Sequence, residues 1–133
     1  MEYTIRSYSK KDYAELKRWW VSSKETVPPE DALSEESTFI LELDNVPALS
    51  ITVYLTNSKQ VSYLENFIGN PDLKGDSRRK ASQIIVDAAC GFAKSLGYKR
   101  ILCLAQKDKL KTRYTELGMQ PVADNLSGFV REL

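Results

Sequence analysis

The stretch SRRKASQIIVDAACGFAKSLGYKRILCLA, residues 77–105, decides the fold. Ala81, Ile84, Ile85, Ala88, Ala89, Phe92 and Ala93 recur at helical spacing and stop at Gly97, a residue suited to a helix C-terminal cap. RILCLA, at 100–105, is then apolar without a break, as a central strand buried on both faces should be. A long helix feeding a buried strand implies a parallel strand–helix–strand crossover, with its first strand just upstream. QVSYLENFIG, at 60–69, supplies that strand.

Working outward, STFILEL (37–43) and ALSITVYL (48–55) are rich in β-branched and aromatic residues. Asp44-Asn45-Val46-Pro47 separates them, so they form an antiparallel hairpin that the 60–69 strand extends after Thr56-Asn57-Ser58-Lys59. TIRSY (4–8) alternates like a half-buried strand, and Ser9 with Asp12 starts a helix through DYAELKRWW. Its spacing sends one of Trp19 and Trp20 into the core and turns the other sideways. SSKETVPPEDALSEES (22–37), with Pro28, Pro29 and five acidic residues, reads as a mobile connector with one short helix near Pro29. Downstream, a helix through Asp108–Leu117 ends at Gly118, and FVREL (129–133) closes the chain as a last strand. The fold class is α/β in one domain over 1–133. Helices flank a mixed, mainly antiparallel sheet of six or seven strands with one parallel crossover.

Nineteen Lys and Arg against eighteen Asp and Glu leave a net charge of +1, so no global field favours nucleic acid or an anionic membrane. No apolar run approaches the roughly 20 residues needed to cross a bilayer, and MEYTIRSYSKK lacks a signal-peptide core. A soluble cytoplasmic protein is expected. The sequence has no histidine, which removes Ser-His and Cys-His nucleophilic systems and mixed Cys/His zinc sites, so no metal site is expected. Cys90 and Cys103, in DAACGFA and ILCLA, suit buried free thiols.

The order of elements and two passages resemble the GNAT superfamily of acyl-CoA-dependent N-acyltransferases. FAKSLGYKRILCLA (92–105) is similar to the family's A-x-x-x-G-y-x-x-l-x-l passage, and RYTELGMQPV (113–122) to its Y-e-k-l-G-F-x-x-v passage. The resemblance implies a bulged strand whose main chain, at Phe67, Ile68 and Gly69, meets the pantetheine arm of acetyl-CoA. It also implies a loop after that strand whose N–H groups hold the pyrophosphate. The family's loop reads Gln/Arg-x-x-Gly-x-Gly/Ala; the matching window here is Ser77-Arg78-Arg79-Lys80-Ala81-Ser82. Ser77 replaces the leading Gln or Arg, and Lys80 and Ser82 replace both glycines. Gly69 stands where the family more often has Val, and Lys107 where it has Asn.

Two readings of 74–83 stay open. Either Asp76 or Ser77 caps a helix whose first turn carries solvated Arg78, Arg79 and Lys80, or those cations hold a diphosphate. Cations near a helix N-terminus cost typically ~0.3–1 kcal/mol each, which a bound anion reverses. The charge placement favours the second.

Acyl transfer from a thioester to an amine needs a deprotonated amine, a polarised carbonyl and a proton for the leaving thiolate. By the resemblance, Tyr114 is the general acid and Glu65 the base. From periodicity alone, Tyr114 with Leu110 and Leu117 forms a stripe that equally packs on the sheet. Strand alternation puts Tyr63, Glu65 and Phe67 on one face, so Glu65 is either a carboxylate between aromatics or a surface charge. Glu25, Glu30, Asp31, Glu35 and Glu36 either favour a cationic acceptor or form a solvated loop.

The resemblance thus implies an N-acetyltransferase using acetyl-CoA and an amine acceptor, a small molecule or a protein amine, by direct attack in a ternary complex. The alternative is a non-catalytic acyl-CoA-binding or interaction module. No nucleic-acid or membrane partner is expected, and a homodimer is left open.

Overall fold

The computed structural model describes residues 1–73, 75–105, 108–123 and 127–133, with side chains described throughout these except at 108–110. Its elements are β1 (Tyr3–Ser7), α1 (Tyr13–Ser22), β2 (Thr38–Leu43), β3 (Val46–Tyr54), β4 (Ser62–Gly69), α2 (Asp76–Ser95), β5 (Ile101–Leu102) and α3 (Asp108–Glu116), with 3-10 turns at Lys10–Asp12 and Glu30–Ala32. The five strands form one sheet in the order β1-β2-β3-β4-β5. The first four are antiparallel neighbours, and β5 joins β4 in parallel after the α2 crossover.

The β2–β3 turn is tighter than the four residues expected. Asp44 and Asn45 alone make it, at φ 51° and 68°. Positive φ at both central residues is the turn whose twist matches a two-stranded ribbon, and Asn and Asp tolerate it best after glycine.

Side-chain alternation splits the apolar residues between the two faces of the sheet. Leu41, Leu49, Ile51, Val53 and Leu64 meet Ala81, Ile85, Val86, Ala89 and Ala93 of α2 in one cluster. On the other face Ile40 and Ile68 meet Tyr8, Leu16, Trp19, Trp20 and Leu33. Trp19 and Trp20 are therefore both core residues, 0% and 3% exposed, and neither turns sideways. Their indoles carry too much apolar area to leave wet, and Glu15 accepts the Trp19 Nε1 hydrogen bond at 2.8 Å.

Three strand expectations are corrected. The sheet has five described strands, not six or seven. RILCLA is neither central nor buried on both faces: β5 covers only Ile101 and Leu102, at the sheet edge, and Leu104 is 70% exposed. FVREL at 129–133 is not a strand: Phe129, Val130 and Leu133 are exposed, and among the described residues no neighbour pairs with them. Alternating apolar character makes a strand only where a ladder partner exists. Among the described residues no helix is long and apolar enough to cross a membrane.

Candidate active site

The site is built on an irregularity in β4. Thr52 pairs with Glu65 and Ser50 with Ile68, so Asn66 and Phe67 together face Ile51. The extra residue is a β-bulge, and Asn66 carries it at φ 57°. The bulge reverses the alternation expected from sequence. Phe67 joins Leu64 in the α2 cluster, while Ile68 packs on the α1 side. Glu65, adjacent to Leu64, therefore projects away from Phe67 rather than sharing its face.

β4 also outruns its parallel neighbour. Pairing with β5 stops at Tyr63↔Leu102, whereas β4 continues to Gly69. Among the described residues no strand pairs with the β5 side of Leu64–Gly69, which leaves main-chain groups there facing a gap. Tyr114 of α3 lies against this segment, its ring edge-to-face with Phe67 at a centroid distance of 6.4 Å. Burial raises the Tyr114 pKa, with the nearby Glu65 carboxylate adding, so its hydroxyl keeps its proton at neutral pH. Burial likewise raises Glu65. Cys103, just past the end of β5, is pushed up to about 11 by burial first and then by Glu65 and Cys90. It is a thiol, not a thiolate, and as a nucleophile it is inactive.

At its far end the gap opens on the start of α2. Gly75, at φ 81° and ψ −151°, is the N-cap, and no side chain caps the helix. Neither Asp76 nor Ser77 is therefore the cap. Ser77 Oγ reaches Met1 Sδ at 3.4 Å instead. Arg78 turns inward: a Cβ placed on Gly69 would lie 2.7 Å from Arg78 Nη2. Gly69 thus leaves room for a guanidinium, which explains why a Val would not serve here. Arg78 Nε is buried without a partner, and burial with the nearby Arg113 charge lowers the Arg78 pKa. An orphaned donor beside an uncapped helix start fits a phosphate group.

The other loop residues divide. Arg79 and Lys80 are exposed, with Lys80 Nζ 5.4 Å from the centroid of the Tyr3 ring. Ala81 is fully buried in the α2 core, and the buried Ser82 donates its Oγ hydrogen bond to Arg78 O at 2.9 Å. Both lie a turn inside the helix, where main-chain N–H groups bond to the preceding turn. Lys107 and the side chain of Leu110 lie outside the described residues.

The connector over 22–37 is tied to the bulge. Asn66 Nδ2 donates to Tyr54 Oη at 3.0 Å, Tyr54 Oη donates to Ala32 O at 3.2 Å, and Tyr13 Oη donates to Pro28 O at 2.7 Å. Asn66, Tyr54 and Arg113 were not singled out from sequence. Only Asn66 carried a signal: Asn inside a strand pattern is the non-glycine residue most at home at positive φ.

No family profile and no curated protein sequence matches the chain. Solved structures do. Ard1 from Thermoplasma volcanium superposes with a TM-score of 0.75 at 17% identity, over 92% of this chain and 86% of that one. A predicted acetyltransferase with acetyl-CoA from Clostridium acetobutylicum gives 0.69 at 15% identity, over 96% of both chains. Glucosamine-6-phosphate N-acetyltransferase from Arabidopsis thaliana gives 0.70 at 13%, over 98% and 100%. The chain has the GNAT fold.

Proposed function

We propose that this chain is an N-acetyltransferase that transfers the acetyl group of acetyl-CoA to a primary amine by direct attack in a ternary complex. The observation that carries the reading is the unpaired β5 side of Leu64–Gly69, which begins beside Tyr114 and ends at the uncapped start of α2. An amide-bearing arm fits along that edge by main-chain hydrogen bonds, from Phe67 and Ile68, and its diphosphate meets Arg78 and the first-turn N–H groups. The solved relative from Clostridium acetobutylicum, named as an acetyltransferase with acetyl-CoA, supports the choice of donor.

In this reading Glu65, raised by burial, takes the amine proton as the nitrogen bonds to the acetyl carbon. The carbon–sulfur bond breaks, and Tyr114 gives its proton to the departing thiolate. Proton transfer thus proceeds without imidazole or a covalent enzyme intermediate. Glu65 and Tyr114 approach the gap from different elements, β4 and α3, yet lie close enough for the Glu65 charge to raise the Tyr114 pKa.

A thermal-shift titration tests it. Acetyl-CoA at 100 times its dissociation constant should add ~2.7 kcal/mol of apparent stability. Thiol release in the presence of amines then reports transfer. No shift at millimolar acetyl-CoA sinks the proposal.

A further inference from the structure

Tyr54, the last residue of β3, ties the bulge in β4 to the connector. Thr38 and Ile40 alternate onto one face of β2, and Ile40 packs in the α1-side cluster. Thr38 Oγ1 lies 3.0 Å from Thr52 Oγ1, so Thr52 shares that face. With it go Tyr54, two residues on, and Glu65, the partner of Thr52 across the ladder. Leu33 of the connector is buried in the same α1-side cluster. Phe67 and Tyr114 pack on the opposite side, against the α2 cluster. The two faces meet at the bulge. Asn66 sends its amide to the Tyr54 hydroxyl at 3.0 Å, while the next residue, Phe67, turns to the α2 side. Tyr54 Oη in turn donates to Ala32 O at 3.2 Å. Ala32 ends the 3-10 turn Glu30–Ala32, where Ala32 N–H and Leu33 N–H donate to Pro29 O and Glu30 O at 2.9 and 3.2 Å. One hydroxyl thus reaches from the left-handed residue of the bulge to the connector turn.

Resting on the acetyltransferase reading, we propose that Tyr54 is a positioning residue whose hydroxyl couples the donor-holding bulge to the connector on the Glu65 face, so that acetyl-CoA binding tightens the turn at Glu30–Ala32. The peptide plane between Asn66 and Phe67 belongs to both residues, so whatever fixes the main chain of Phe67 also fixes the aim of Asn66. A bulge held in one conformation keeps the Asn66 amide on Tyr54 and Tyr54 on Ala32. The connector then loses local openings that the free protein has.

Amide hydrogen exchange of the full chain, read by NMR at Ala32 and Leu33 with and without saturating acetyl-CoA, tests this. In the wild type acetyl-CoA should slow exchange at both amides about fivefold or more. Tyr54 is 38% exposed, so Tyr54→Phe should fold; it should bind acetyl-CoA yet show no slowing at these amides. Asn66→Gly, which keeps the left-handed backbone accessible and removes the side-chain amide, should lose the slowing in the same way. Tyr13→Phe is the contrast. It frees Pro28 O, held by Tyr13 Oη at 2.7 Å, so the connector should exchange faster in both states while the slowing by acetyl-CoA persists. A wild type that binds acetyl-CoA without slowing at Ala32 and Leu33 overturns this proposal and leaves the acetyltransferase reading standing, as does slowing intact in both Tyr54→Phe and Asn66→Gly. Loss of the slowing in Tyr13→Phe as well makes Tyr54 one structural tie among several and likewise overturns it. No binding of acetyl-CoA by the wild type overturns both.

Discussion

The rings of Phe67 and Tyr114 meet edge to face, with planes at 67° and centroids 6.4 Å apart. The contact exists only because the Asn66 bulge moves Phe67 onto the α2 and α3 side of the sheet. It holds the Tyr114 hydroxyl beside the part of β4 that β5 leaves unpaired.

Tyr114→Phe keeps that contact and removes only the hydroxyl. Turnover in a thiol-release assay should fall roughly 10²-fold, the scale of a general acid's contribution. The melting temperature should stay within a degree or two, and unchanged turnover would remove Tyr114 from the mechanism.

In the proposed mechanism Glu65 ties activity to pH in a definite direction. As a base it acts only when ionised, so kcat/KM should rise with pH through a pKa above the ordinary ~4.3 of glutamate, because burial raises it. Glu65→Gln should abolish that limb along with most of the activity. The stability effect has the opposite sense. A carboxyl whose folded pKa exceeds its unfolded one binds more protons when folded, so stability present at low pH declines as pH rises through the folded value. Glu65→Gln should therefore melt higher than wild type at pH 7 and converge with it near pH 4; a lower melting point at pH 7 would count against burial as the cause.

The bulge rests on Asn66 at φ 57°. Asn66→Gly leaves that conformation accessible, whereas Asn66→Val forces a β-branched residue into it at about 1–2 kcal/mol. Urea denaturation should rank Val well below Gly. The Val variant should also lose its acetyl-CoA thermal shift, and retention of the full shift would detach the bulge from binding.

Gly69→Ala places a Cβ 2.7 Å from Arg78 Nη2 and 3.1 Å from Leu49 Cδ2. The guanidinium is the far end of a flexible side chain and can swing away, so the fold should survive. Acetyl-CoA affinity should fall about tenfold, one charge-assisted contact, in a titration; unaltered affinity would exclude Arg78 as a phosphate partner.

Asp12 marks an acid-sensitive joint remote from the site. Arg6 donates to both its oxygens at 2.9 Å, and Ser9 N–H donates to Oδ2 at 2.9 Å. The Arg6 bond holds the Asp12 carboxyl below the usual carboxylate range. Its contribution is present above the unfolded value of ~3.9 and is lost as pH falls through the lower folded value. Asp12→Asn should cost about 1 kcal/mol at pH 7, the scale of a lost cap, with the difference from wild type vanishing in acid melts. A difference that persists there would assign the cost to packing.

What the amino-acid sequence determined by itself was the set of locally encoded elements. The α2 period from Ala81 to Ala93, the stop at Gly97, the presence of a β2–β3 hairpin and the order of strands and helices through α3 all follow from spacing and turn chemistry. These are short-range properties, and they were sufficient for the fold class. Tertiary structure alone decided the rest. β5 shrank to Ile101–Leu102, and FVREL has no ladder partner among the described residues, because a strand exists only where another chain segment completes its ladder. Phe67 left the face of Glu65 because one residue in a left-handed conformation shifts every later side chain to the opposite face. Arg78 and Arg113, far apart in the chain, came near enough for the Arg113 charge to act on Arg78 only when α3 was set across a cleft from the start of α2, and no local pattern encodes that meeting.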